Sequence, residues 1–172
     1  MPSFKLLLKD PMKEKLSIAF LLFFVITLYG QEEKLTIDLE IIGYGITSSK
    51  TIATNNLKSS PSGVQNMLSD TKFIEATDSI PATIDTQFGV FYKFNSNKDI
   101  TLPVTILWQY PDGMKDLQGN ILKETKYTIY KETNYEHFSN YTLGQNELVK
   151  GDWIFNLIVN KQVIYHKIFH LY

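Results

Sequence analysis

Residues 34–42 read Lys-Leu-Thr-Ile-Asp-Leu-Glu-Ile-Ile, and the parity of that stretch decides the fold. In an extended chain Leu35, Ile37, Leu39 and Ile41 fall on one side, and Thr36, Asp38 and Glu40 on the other. A period of two with one polar side marks a half-buried strand, since a helix would repeat every 3.6 residues. Gly43-Tyr-Gly45 then interrupts the run as a bulge or bend.

The same period returns down the chain. Over 84–94, Phe88, Val90, Tyr92 and Phe94 share a side against Gln87, Gly89, Phe91 and Lys93, and Asn95-Ser-Asn-Lys-Asp99 makes a turn. Leu102, Val104, Ile106, Trp108 and Tyr110 alternate with Pro103, Thr105, Leu107 and Gln109. Pro103 has no N–H for a ladder, so this strand is expected to start there or to lie at an edge. Tyr110-Pro-Asp-Gly113 reads as a tight turn. Residues 123–131 and 137–143 are shorter strands, and 152–159 with 162–171 form a terminal hairpin about Asn160-Lys161. A two-residue loop sets Trp153 opposite Ile168. A three-residue loop sets it opposite Phe169, which joins the largest side chains and is the preferred register. One residue of slip exchanges the faces. Residues 47–70 differ: Ser, Thr, Asn and Lys dominate, with Pro61 and Gly63 as breakers. They read as a long polar surface excursion with a short helical turn near Val64–Leu68. About eight strands joined by turns, with no long amphipathic helix and no internal repeat, predict an all-β fold, an antiparallel β-sandwich of about seven to nine strands.

Composition narrows the function. The chain has 172 residues, which suits one domain. It has no cysteine, so neither a disulfide nor a cysteine-linked lipid anchor can form. Every basic residue is lysine. The planar arginine fork that grips phosphates and guanine edges is absent, so no nucleic-acid partner is expected. Lys5, Lys9, Lys13 and Lys15 against Asp10 and Glu14 give residues 1–31 a charge of +2, and removing it from the formal −1 leaves −3.

Leu16–Leu28 is an uncharged apolar run, too short for the roughly 20 residues of a membrane-spanning helix. Lys13 and Lys15 precede it and Gly30 follows it, the layout of a secretory signal. The expected division is a signal peptide over 1–31, with Met12 as an alternative start, and a single domain over 32–172. The expected location is periplasmic or secreted, with no membrane span after cleavage.

Three stretches resemble a known family when taken together. They are Ile80-Pro-Ala-Thr-Ile-Asp-Thr-Gln-Phe-Gly-Val-Phe-Tyr92, Trp108-Gln-Tyr-Pro-Asp112, and Glu147-Leu-Val-Lys-Gly-Asp-Trp-Ile-Phe155 with a closing Lys167-Ile-Phe169. Their order and spacing are similar to a family of small exported bacterial domains known only as a domain of unknown function. The resemblance covers roughly residues 35–171. It implies an immunoglobulin-like sandwich and export, and no activity. Asp85 stands near a position where that family often has glycine. Without the family, the last motif still makes sense as a strand entry: Leu148 tucks under the sheet, Gly151 turns the corner, and Trp153 and Phe155 enter the core on one face.

Candidate sites are few. His166 and His170 share a strand face but lie about 13 Å apart, too far to ligate one zinc. His137 stands alone. No metal or cofactor is therefore expected. Asp112, Asp116 and Asn120 offer oxygens beside Gly113 and Gly119, but calcium loops place ligands two apart and turn chemistry explains these residues better. Glu132, Glu136 and Glu147 are the carboxylates a glycosidase would need. No serine lies in a Gly-x-Ser-x-Gly elbow; Ser59-Ser-Pro-Ser-Gly63 is a polar loop. Tyr127, Tyr130, Tyr135 and Tyr141 form a dense cluster, either cross-strand packing or an exposed platform for sugar rings or a partner protein. The expected function is thus a non-catalytic exported interaction module, with another envelope protein or a glycan as partner. The alternatives are a glycan-binding accessory domain using the tyrosines, and an envelope hydrolase.

Overall fold

A computed structural model describes residues 34–172. The expected signal peptide, the alternative start at Met12 and the cleavage site lie outside the described residues. Alternating side chains do build two facing sheets. One has the strand order β2-β1-β4-β7, from β1 (Ile37–Asn56), β2 (Val64–Glu75), β4 (Gln87–Ser96) and β7 (Glu136–Thr142). The other has the order β3-β9-β8-β5-β6, from β3 (Ser79–Ile80), β5 (Thr101–Gln109), β6 (Glu124–Glu132), β8 (Gly151–Val159) and β9 (Gln162–Leu171). All pairings are antiparallel except β3 with β9.

The gap between the sheets holds the side chains that parity assigned to it. Phe88, Val90, Tyr92 and Phe94 of β4 face Val104, Ile106 and Trp108 of β5 and Trp153, Phe155 and Leu157 of β8, all buried. Phe88 is the hub: its ring lies 5.6 Å from Trp108, 5.9 Å from Trp153 and 5.1 Å from Phe169 in edge-on geometry. Each such pair adds about 1 kcal/mol beyond the area it buries.

The terminal hairpin meets both expectations about its register. Asn160 and Lys161 form a two-residue turn with positive φ at both positions, and Val159 pairs with Gln162. A bulge between Leu157 and Ile158 then adds Ile164 to β9, so Trp153 pairs with Phe169. The tight turn matches the twist of the strands, and the bulge restores the facing of the large rings.

Three expectations change. The strand expected from Ile84 begins at Gln87, because Asp85 sits at φ 65° in a turn. β5 is neither an edge strand nor one that starts at Pro103. Pro103 is tolerated because β8 pairs with β5 only over Thr105–Gln109, so no neighbour on that side needs its N–H. The largest change is over 47–70. β1 continues to Asn56 and β2 starts at Val64, so Val64–Leu68 is strand, not a helical turn. These strands read as loop because most side chains of residues 50–56 face solvent, which removes the apolar alternation while backbone pairing remains. The result is a hairpin arm that runs past the last β1–β4 pair, Thr47 with Gln87. Register shifts at Ser48/Lys50 and Thr51/Ala53, with Asp70 at φ 53°, bend it.

Candidate functional site

The arm's tip reaches the seam where the two sheets end side by side. β7 and β6 are edge strands of opposite sheets. Leu57–Gly63 closes the tip by hydrogen bonds from Leu57 N to Gly63 O and from Ser60 N to Leu57 O, both 2.9 Å, and the buried Ser60 hydroxyl donates to backbone oxygens of Leu57 or Val64. From β6, Thr125 Oγ1 donates to Ser59 O at 2.7 Å. Gln65 bonds the Tyr127 hydroxyl, whose pKa burial pushes up to about 12 against the pull of that bond. At the arm's base Ser49 and Gln87 share a hydrogen bond.

Beneath the tip lies a polar cavity of about 80 Å³ between Trp108, Thr125, Tyr127, Asn140, Tyr141 and Glu147. A hydroxyl chain crosses its floor. Tyr110 OH donates to Thr125 Oγ1 at 2.7 Å, and Tyr141 OH donates to Glu147 Oε1 at 2.9 Å. Glu147 is only 3% exposed and its other oxygen accepts from Gly144 N at 2.7 Å. Burial first, then the neighbouring Tyr110 and Glu147, holds the Tyr141 hydroxyl well above the usual phenol range. Each of these protons is committed to a partner, so the chain acts as a brace for the corner where the Glu147 motif turns into β8. The rest of that motif fits: Trp153 Nε1 donates to Val149 O at 2.9 Å, and Gly151 takes φ 124°, a value other residues rarely adopt.

Two groups lining the cavity are uncommitted. Trp108 Nε1 and Asn140 Oδ1 are buried and have no hydrogen-bond partner. A space of this size with such polar partners suits ordered water. Outward along the seam the cavity continues into a groove of about 250 Å³ between β2, β6 and β7, lined by Met67, Leu68, Ile129, Lys131 and Phe138. Cavity and groove share Gln65, Asn66, Leu68, Tyr127 and Asn140.

The four tyrosines do not form one platform. Tyr127 and Tyr141 turn their rings into the seam, Tyr141 stacking on Phe88 at 6.0 Å. Tyr130 lies on the outer face of β6 at 75% exposure, and Tyr135 in the turn before β7 at 60%. His166 Nδ1 meets Asn156 Oδ1 at 3.0 Å and His170 Nδ1 meets Asp152 Oδ1 at 2.7 Å, on separate rungs of the β8–β9 ladder. His137 Nε2 meets Glu132 O at 2.7 Å. Among the described residues no group of three or more His, Cys, Asp or Glu is placed to hold a metal. Asp116 takes N–H bonds from Gln118 and Asn120 as an Asx turn, and the Asn120 side chain first among these bonds keeps its carboxyl below the usual range. Glu132 ends β6 and Glu136 begins β7, while Glu147 lies in the short 3-10 turn Gln145–Glu147.

Sequence reasoning missed Gln65, Lys131 and Asn140. Lys131 carried a signal: Thr125, Tyr127, Ile129 and Lys131 share parity, so a lysine ends the inward-facing row of β6.

Comparisons with known proteins add the fold and the family. A crystal structure of an immunoglobulin-like protein from Pseudomonas aeruginosa superposes with a TM-score of 0.57 at 20% identity, covering 83% of this chain and 100% of that one. At that identity the likeness shows the fold alone, an immunoglobulin-like sandwich. No curated protein matches the chain. The model of the family described as a domain of unknown function (DUF3859) matches residues 35–171, and the chain belongs to that family.

Proposed function

We propose that the chain is an exported, non-catalytic interaction module that engages a protein partner through its hairpin arm. The observation that carries this reading is the arm's surface. It runs past β4 as a two-stranded ribbon with its tip docked on the seam; its outer strand β2 is a sheet edge, and Ile52 and Met67 stand 63% and 48% exposed on it. An edge strand with exposed apolar side chains beside it adds strands readily. The apolar leader run of residues 16–28 supports export.

The test is capture of envelope proteins from the native host on the immobilised domain, beside the variant Ile52→Lys. Wild type is expected to retain a partner that the variant loses. Identical recovery on wild type, variant and bare resin would end the reading. Cell fractionation of the full-length chain checks export, and accumulation of unprocessed protein in the cytoplasm would remove that part. The glycan-binding alternative draws support from Tyr130 and Tyr135 alone, and unchanged retention of Tyr130→Ala on immobilised envelope glycans would dispose of it.

A further inference from the structure

We infer that the groove between β6 and β7 takes an extended acidic peptide segment as an added strand along β6, with a carboxylate of the segment on Lys131. This deepens the interaction-module reading and rests on it.

The topology leaves the outer edge of β6 without a strand partner. Along that edge the inward-facing row is Thr125, Tyr127, Ile129 and Lys131, while Lys126, Thr128, Tyr130 and Glu132 face out. The arm covers the first half of the row, through Ser59 on Thr125 and Gln65 on Tyr127. The second half stays open, with Ile129 and Phe138 as apolar walls. Lys131 is the one charged residue lining the groove. Its ammonium has no carboxylate partner among the described residues. It is half-buried, and burial lowers its pKa. His137, next along β7, feels the Lys131 charge, so any protonation there adds to the same sign.

An inward lysine on an edge strand normally guards against pairing, because an added strand would bury its charge. That guard is selective. A neutral or basic strand meets an unpaired buried cation, whereas a strand carrying a carboxylate at the right parity converts the penalty into an ion pair. The chemistry of the groove therefore selects alternating apolar and acidic residues.

The probe is a fluorescent synthetic peptide alternating valine with glutamate, compared with one alternating valine with lysine, titrated into the domain and followed by anisotropy. The glutamate peptide is expected to bind, to weaken with added salt, and to shift backbone amide resonances of residues 124–131. Lys131→Met, which keeps the aliphatic stem, is expected to weaken it by about fivefold, the scale of one ion pair. Lys131→Glu is expected to reverse the preference toward the lysine peptide, which a merely structural role would not do. Equal binding of the two peptides, indifference to both substitutions, or no binding of either would overturn the inference. If partner capture is lost on changing Ile52 yet unaffected by Lys131→Met, the groove fails while the arm reading stands. If the peptides behave as expected while capture fails, the arm reading fails and the groove stands.

Discussion

Replacing Gly89 with alanine tests the closeness of the two strands that frame the seam. Gly89 is not among the glycines at positive φ, so alanine would gain about 0.5–1 kcal/mol there if there were space. There is none: a Cβ at this position would lie 2.2 Å from Ser139 O and 2.8 Å from Asn140 Cα. Both are backbone atoms of β7, which no rotamer change can move. Reaching a normal contact requires β4 and β7 to part locally by about 1 Å. A hydrogen bond stretched that far is lost, at about 1 kcal/mol each. Two such bonds, with the displaced packing of Phe88 and Val90, put the cost at about 3–4 kcal/mol. Gly43→Ala is the control. Its Cβ would meet the Phe73 ring at 3.6 Å, an ordinary contact, so it should be neutral or gain about 0.5 kcal/mol. Urea unfolding of both variants beside the wild type measures the difference, and thermal melts should show a Tm loss of roughly 10 °C for Gly89→Ala alone. A loss below about 1 kcal/mol at Gly89 with an unchanged urea slope would refute the close approach.

Other consequences are equally open to measurement. Deleting Ile164 removes the bulge residue and leaves both the Asn160-Lys161 turn and the Trp153–Phe169 pair in place, so it should cost less than about 1 kcal/mol. Deleting Lys167 swings Phe169 to the outer face and should unfold the domain, as circular dichroism would report. His137 is held below its usual pKa, chiefly by burial and also by Lys131, while the Glu132 carbonyl and carboxylate pull the other way. The unfolded chain therefore binds that proton more readily, so stability is complete above about pH 6.5 and falls as pH drops through that value. His137→Gln should flatten the dependence of Tm on pH between about 5 and 7.5, and an unaltered slope would contradict the assignment. Asp85, at φ 65°, occupies a conformation that glycine adopts without strain. Asp85→Gly should be neutral or stabilising by up to about 1 kcal/mol and Asp85→Val should cost about 1–2 kcal/mol in the same melts.

The body of the fold was legible because each of its strands buries one face. Leu39 and Ile41 in β1, Phe88 to Phe94 in β4 and Leu102 to Trp108 in β5 announce themselves by parity, and the Glu147 motif by its glycine and its aromatic pair. Asp85, which breaks the strand expected from Ile84, takes a positive φ that aspartate is among the few residues to tolerate. The arm was illegible for the converse reason. Thr51–Asn56 is paired by its backbone with both faces in solvent, so nothing in side-chain polarity separates it from a loop. The seam was legible only in fragments. Tyr127, Tyr141 and Glu147 drew notice as residue types, but the cavity that Tyr127 closes with Gln65 depends on where the arm folds back, and that depends on bulges and on Asp70, which leave no periodic trace.

The unsatisfied polar atoms separate the arm from the body. Among the described residues, four buried side-chain atoms lack a partner: Thr47 Oγ1 and Thr71 Oγ1 in the base of the arm, and Trp108 Nε1 and Asn140 Oδ1 beneath its reach. Buried polar groups left unpaired by protein or water cost about 1–3 kcal/mol each, and sandwich cores normally avoid them. Here the core between the sheets contributes Trp108 only at the wall it shares with the seam. The body would keep its aromatic cluster, its hairpin and its Glu147 brace without residues 48–72. The arm, by contrast, adds exposed apolar side chains and shelters polar atoms that it does not pair. A segment with those properties is weakly held by the fold that carries it. The proposed partner contact rests on those two properties of the arm, its exposed apolar side chains and the polar atoms it shelters unpaired, and not on the tyrosines.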